Sequence, residues 1–71
     1  MKFNYNKLKG RIREYFGSQT NFAKSLNLSN VSLSHKLNNR VFFTQEEIAM
    51  MIERLNVQDI EIKDIFFTKE V

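Results

Sequence analysis

Residues 18–34 read SQTNFAKSLNLSNVSLS, and this stretch decides the fold. Ser18 is a good N-cap for a helix, and three apolar residues after it share one helical face: Phe22, Ala23 and Leu26. Asn27 then favours a tight turn, because Asn tolerates the left-handed backbone conformation better than other residues that carry a Cβ. Ser29 can cap the next helix. The stretch therefore predicts two short helices around a three-residue turn, a helix-turn-helix.

Another helix is predicted before this pair, from about Tyr5 to Tyr15, with Asn4 as its N-cap. Three apolar residues spaced four apart give it a buried face: Leu8, Ile12 and Phe16. The second helix of the pair is expected over about Asn30–Asn38. Two leucines one turn apart form its buried face: Leu33 and Leu37.

The clearest helix start follows the pair. Thr44 and Glu47 have the spacing of a capping box, and Phe43 and Ile48 have the spacing of a hydrophobic staple. The apolar stripe continues at i, i+3, i+4 and i+7: Ile48, Met51, Ile52 and Leu55. A short fifth helix is predicted from three further apolar residues, Ile62, Ile65 and Phe66, although Ile60 and Ile62 also alternate as in a strand. The expected fold class is all-α, with five helices.

Length and composition limit the function classes. A chain of 71 residues is expected to form one domain over residues 1–71, and the absence of cysteine excludes disulfides and thiolate metal sites. The acidic side chains Asp59, Glu61 and Asp64 are typical of a solvated helix face, so we expect no metal and no cofactor. No nucleophile has a recognisable base partner, so we expect no enzyme. The longest apolar run, Ile48–Ile52, is too short to span a bilayer, and a cytoplasmic location is expected.

Charge divides the chain into two halves. Through Phe43, eight Lys and Arg residues against Glu14 alone give +7, and from Thr44 onward three cations against seven acids give −4. A basic half of this kind favours a polyanion as partner. The alternative is that basic helices only keep the protein soluble.

The second helix of the pair has compact polar side chains on its outer face. Asn30, Ser32 and His35 are small enough to reach base edges, and the major groove is about 12 Å wide and admits one helix. The preceding helix would meet the sugar-phosphate backbone through Gln19 and the free amides of its first turn. These positions predict binding to double-stranded DNA.

Residues 18–34 resemble the helix-turn-helix of the Cro/CI-type (XRE) family of phage repressors. The stretches LSHKLNNR at residues 33–40 and FFT at residues 66–68 further resemble small Cro-like regulators from phages of Gram-positive bacteria. The resemblance covers most of the chain. It implies a lambda-repressor-like DNA-binding domain that reads an operator with its third helix.

Carried over by position, the resemblance implies two sets of DNA contacts. Base contacts are implied for Asn30, Val31, Ser32 and His35. Phosphate contacts are implied for Gln19, Lys36, Asn39 and Arg40. The chain departs from the family pattern at three positions: Asn27 and Asn39 stand where Gly is usual, and Lys36 stands where an apolar residue is usual.

Seven phenylalanines are many for so small a core. Phe42 and Phe67 each lie beside another phenylalanine that already has a core role, so we expect exposed apolar surface there. Such surface usually marks an interface, and we hypothesise a protein contact at the C-terminal residues Ile65, Phe66, Phe67 and Val71. The alternative is that these residues close the core beneath the first helix.

Two functions are consistent with these features. The leading prediction is a sequence-specific transcriptional regulator, a Cro-like repressor that binds a two-fold operator as a homodimer. The second is an antirepressor or modulator, in which the same fold binds a CI-type repressor through protein–protein contacts. Both would act in the cytoplasm of a bacterial host.

Overall fold

The computed structural model describes residues 2–70, and helices form most of it. In chain order these are α1 (Asn6–Phe16), α2 (Gln19–Ser25), α3 (Asn30–Leu37), α4 (Gln45–Arg54), a 3₁₀ turn (Asp59–Glu61) and α5 (Ile62–Phe66). Over residues 2–70 the one extended pairing is an antiparallel bridge between Phe3 and Lys69. The all-α fold expected from the sequence, with five helices, is confirmed.

The pair of helices α2 and α3 has the caps that its sequence predicts. The Asn21 amide donates to Ser18 Oγ at 3.1 Å, and the Ser32 amide donates to Ser29 Oγ at 3.0 Å. Each bond satisfies an amide that has no partner within its own helix. Asn27 has a left-handed backbone, with φ 60°, as its place in the turn requires. Local hydrogen bonds therefore define the start of both helices.

The other two long helices begin differently. The capping box of α4 is present, because Thr44 Oγ1 accepts from the Glu47 amide at 3.1 Å and Glu47 Oε1 accepts from the Thr44 amide at 2.8 Å. The start predicted for α1 is wrong by one residue. Tyr5 occupies its N-cap without a side-chain bond, while Asn4 Oδ1 accepts from the Asn6 amide at 2.9 Å. The buried side chain of Tyr5 explains this start, because it fixes the chain against the core.

A single core gathers side chains from every helix. Its fully buried members with the largest volume are Phe22, Phe66, Leu8, Leu33, Met51 and Leu55. α5 closes this core against α1, and both Ile65 and Phe66 are buried there. The interface predicted for these two residues is therefore wrong, because neither side chain is exposed, and the alternative that they close the core beneath the first helix holds. Ile60, in the 3₁₀ turn, is instead 89% exposed.

Long-range polar contacts join the two chain ends to each other and α1 to the segment after α4. The Asn4 amide donates to the Thr68 carbonyl at 2.7 Å, and the Glu70 amide donates to the Lys2 carbonyl at 2.9 Å. Arg11 of α1 donates to two carbonyl oxygens at the end of α4, at 3.1 and 3.3 Å. The same guanidinium pairs with a carboxylate of the 3₁₀ turn. No periodicity in the sequence predicts these contacts.

Candidate recognition surface

The outward side of α3 carries the four residues predicted to contact bases. Leu33 and Leu37 anchor the opposite side in the core. Val31 and His35, four residues apart, lie near the centre of the outward side, and Val31 is 63% exposed. Asn30 is exposed on one flank and Ser32 half-buried on the other. We call the four residues Asn30, Val31, Ser32 and His35 the recognition face.

Two further polar residues adjoin the recognition face and are missing from the predicted set. Asn38 Nδ2 donates to Ser34 Oγ at 3.3 Å. Ser34 follows Asn30 by four residues, and Asn38 follows Ser34 by four. Helical spacing therefore places them along one edge of the same face, and this spacing is the signal that could have found them.

The side chain of Lys36, one of the residues predicted to contact phosphate, forms an internal ion pair. Its Nζ lies 2.6 Å from both carboxylate oxygens of Glu47, and both side chains are only 12% exposed. Burial alone would raise the pKa of Glu47, but hydrogen bonds from Lys36 and Thr44 outweigh it and hold this pKa below its ordinary value. The phosphate contact expected of Lys36 stays a prediction, and it would require the ammonium to leave this internal ion pair.

The side chain of Asn39 also makes internal hydrogen bonds. Its Nδ2 donates to the Phe3 carbonyl at 2.9 Å, and its Oδ1 accepts from the Phe3 amide at 2.8 Å. The side-chain amide thus pairs with the N-terminal segment as a neighbouring strand would. The phosphate contact expected of Asn39 stays a prediction, and it would compete with these two hydrogen bonds. The residue does adopt the left-handed conformation, with φ 64°, for which Gly is usual in the resembling family.

Cations that remain in solvent lie beside α3. Arg40 is exposed just after the helix, and its backbone amide donates to the His35 carbonyl at 2.9 Å. Lys9 and Arg13, one turn apart on α1, line a shallow depression together with Gln19. We call Lys9, Arg13 and Gln19 the basic flank. Of its members only Gln19 belongs to the predicted phosphate set, although the i, i+4 spacing of the two cations was visible in the sequence.

An aromatic surface lies where the chain ends meet the loop after α3. Phe42 is 69% exposed and Phe67 43% exposed, as expected from the surplus of phenylalanine. The Phe67 ring packs edge-on against Phe3, with 6.0 Å between centroids. Val41, beside Phe42, is also exposed. Of the three described residues of the predicted C-terminal interface, Ile65, Phe66 and Phe67, only Phe67 is exposed. Val71, the fourth, lies outside the described residues.

Two acidic residues of the C-terminal part lie against cations of α1. Glu61 pairs with Arg11, and Asp64 lies 3.8 Å from Lys7. Within residues 2–70, no three His, Asp or Glu side chains come together as metal ligands would. Over the same range, no helix combines the length and the apolar character needed to cross a membrane.

Comparisons with known proteins relate the chain to one phage regulator. Residues 1–69 match the sequence model of a family described as "Protein of unknown function (DUF739)". Among solved structures, the chain is similar to the modulator of repression (MOR) of the temperate bacteriophage TP901-1 from Lactococcus lactis, with 36% identity and a TM-score of 0.80. The likeness covers 94% of this chain and 90% of that one. A search of curated proteins gave no significant match.

These matches support part of the resemblance given by the sequence. The likeness to a regulator from a phage of Lactococcus agrees with the expected relation to small phage regulators. The finer statement, membership of the Cro/CI-type family, stays a prediction, because the matching family model is a different one.

Proposed function

We propose that this chain, which belongs to the family described as "Protein of unknown function (DUF739)", regulates phage gene expression by binding a CI-type repressor through its recognition face. It needs no cofactor and catalyses no reaction. The setting is the cytoplasm of the bacterial host. The likeness to a modulator of repression supports this proposal over direct operator binding.

The neutral, partly apolar character of the recognition face carries the proposal. Val31 is exposed near its centre, and the one lysine of α3, Lys36, is tied to Glu47. A duplex is bound largely through cations that displace counterions from phosphates. The core of a protein interface is instead depleted of charge and gains from burying apolar side chains. The recognition face has the second character.

Substitution of Val31 tests the proposal. Val31→Asp places a charge on an exposed position, so the fold should persist while an apolar protein contact is lost. We expect binding to the repressor encoded by the same phage genome to weaken at least tenfold, or about 1.4 kcal/mol, by titration calorimetry. Ile60→Asp is the matched control, because Ile60 is also an exposed aliphatic side chain but lies outside the recognition face. Equal loss in both variants, or no loss in either, would reject the proposal.

A second candidate function is sequence-specific binding to an operator as a homodimer. The basic flank favours it, because Lys9 and Arg13 are exposed beside the helix-turn-helix. Half-sites of such an operator would lie about 34 Å apart, one turn of B-DNA. Asn30→Ala and His35→Ala should then cost roughly 1–3 kcal/mol on the preferred sequence and little on random DNA.

Salt dependence separates the two functions. Each phosphate contact contributes about −0.9 to the slope of log K against log salt. If the operator is the target, Arg40→Ala should make that slope shallower by about 1 on every DNA sequence. A slope near zero, together with tight repressor binding, would leave the modulator as the function.

A further inference from the structure

Three hydrogen bonds from two different elements converge on the Glu47 carboxylate. The Lys36 ammonium reaches both oxygens at 2.6 Å, and the Thr44 amide donates to one of them at 2.8 Å. Of these three bonds, the capping box that starts α4 needs only the one from the Thr44 amide. The charge of Glu47 is therefore not needed for the cap, since a neutral Gln serves the same purpose there. What the charge adds is the capture of Lys36.

We propose that Glu47 is a positioning residue that sets the class of partner: by holding Lys36 inward, it keeps the recognition face neutral and so suited to a protein rather than to a duplex. This inference rests on the function proposed above. Lys36 belongs to the last turn of α3, one turn after Ser32 of the recognition face. A long lysine stem at such a position reaches solvent once its carboxylate partner is gone.

The surroundings of Lys36 make its release consequential. Arg40 follows it by four residues and is exposed. With Lys36 free, two cations would stand at the C-terminal end of α3, beside the surface that a helix-turn-helix presents to the sugar-phosphate backbone. In the present arrangement the charge of Lys36 is balanced by Glu47, and of the two cations only Arg40 is exposed. This end of the surface therefore presents one cation fewer to a phosphate as long as Glu47 is ionised.

Glu47→Gln removes the charge and preserves the cap. The probe is a duplex of random sequence, about two helical turns long, and the measurement is its affinity by fluorescence anisotropy over a range of salt. We expect the slope of log K against log salt to steepen by about 0.9, and the affinity at 0.1 M salt to rise about eightfold, for one added phosphate contact. Glu46→Gln is the matched control, because it makes the same charge change at the exposed neighbouring residue. We expect its slope to equal that of the wild type.

A double variant shows whether Lys36 is the group released. Glu47→Gln combined with Lys36→Met should restore the wild-type slope, because the freed cation is gone, whereas a purely structural effect of the Gln would persist. A steeper slope that survives in the double variant would overturn the proposal. So would an unchanged slope in Glu47→Gln with the circular dichroism of the wild type.

Val31→Lys keeps the inference testable if Glu47→Gln does not fold. It adds a free cation to the recognition face at an exposed position, and we expect the same steepening of about 0.9. An unchanged slope in Val31→Lys would mean that the face does not meet a duplex, and the proposal would fall. These readouts use DNA alone. Their failure is thus distinct from that of the modulator function, which the repressor titration with Val31→Asp decides.

Discussion

Replacing Asn39 should separate two contributions that this residue makes to the fold. Its backbone is left-handed, with φ 64°, and its side-chain amide makes two hydrogen bonds to the Phe3 backbone, at 2.8 and 2.9 Å. Asn39→Gly keeps the backbone conformation and removes the hydrogen bonds. Asn39→Ala removes the hydrogen bonds and also strains the backbone.

The structure sets the size of the expected effects. Two hydrogen bonds of about 0.5–1.5 kcal/mol each predict a loss of about 1–3 kcal/mol in the free energy of unfolding for Asn39→Gly. The left-handed backbone adds roughly 1–2 kcal/mol for Asn39→Ala. A domain of this size has a total stability of order 4–10 kcal/mol, so either loss is large. The melting temperature should fall by about 4–8 °C for each kcal/mol.

Asn27 supplies the matched control, because it has nearly the same backbone conformation, φ 60°, but is exposed in the turn between α2 and α3. Asn27→Gly should change the free energy of unfolding by less than about 0.5 kcal/mol in urea denaturation. Hydrogen exchange at the Phe3 amide should accelerate in Asn39→Gly and stay unchanged in Asn27→Gly. Equal destabilisation by the two glycine variants, or unchanged exchange at Phe3, would refute this account of Asn39.

Three further predictions follow from contacts elsewhere in the molecule. Arg11→Ala should lower the free energy of unfolding by about 1.5–3 kcal/mol in urea denaturation, since its guanidinium donates to the carbonyls of Leu55 and Asn56, just after α4. Lys7→Ala, which breaks an exposed pair at 3.8 Å, should cost less than about 1 kcal/mol in the same titration. The folded-state pKa of Glu47 is lowered, so the stability that its carboxylate contributes is present above pH 4.5, its ordinary pKa, and is lost as the pH falls through the folded pKa. Below pH 4.5 the melting temperature should therefore fall less steeply with pH in Glu47→Gln than in the wild type. Parallel curves of melting temperature against pH would contradict this. Phe67→Ser and Phe42→Ser should both weaken self-association in sedimentation equilibrium if the aromatic surface is an interface, and unchanged sedimentation of both would leave it without that role.

The features that the sequence predicted well are those decided within one helical turn. The N-caps at Ser18, Ser29 and Thr44 each depend on an amide three residues later, and the left-handed Asn27 depends on its own backbone. Such contacts leave a signature at fixed spacing, so the starts of α2, α3 and α4 could be placed from residue types alone. The outward direction of Val31 follows from helical periodicity in the same way.

The site residues whose internal contacts the sequence did not predict are those with distant partners. Lys36 and Glu47 are 11 residues apart, and Asn39 and Phe3 are 36 residues apart. A polar side chain near the end of a recognition helix looks the same in sequence whether it binds phosphate, solvent or its own chain. The sequence left open whether Ile65 and Phe66 form an interface or close the core, because a helix as short as α5 shows too little periodicity to reveal which side it buries.

The internal contacts of Lys36 and Asn39 have a common consequence for how α3 would bind a partner. Lys36 fastens the helix to α4, and Asn39, two residues past its end, fastens the chain to the N-terminal segment. Lys36 and Asn39, which were expected to contact a sugar-phosphate backbone, thus fix the orientation of the helix in the free protein. Fixing it in advance lowers the entropy cost of binding, and a neutral face then gains most from a partner that buries Val31. Because Phe3 also packs against the exposed ring of Phe67, loosening Asn39 should disturb the aromatic surface and the end of α3 together.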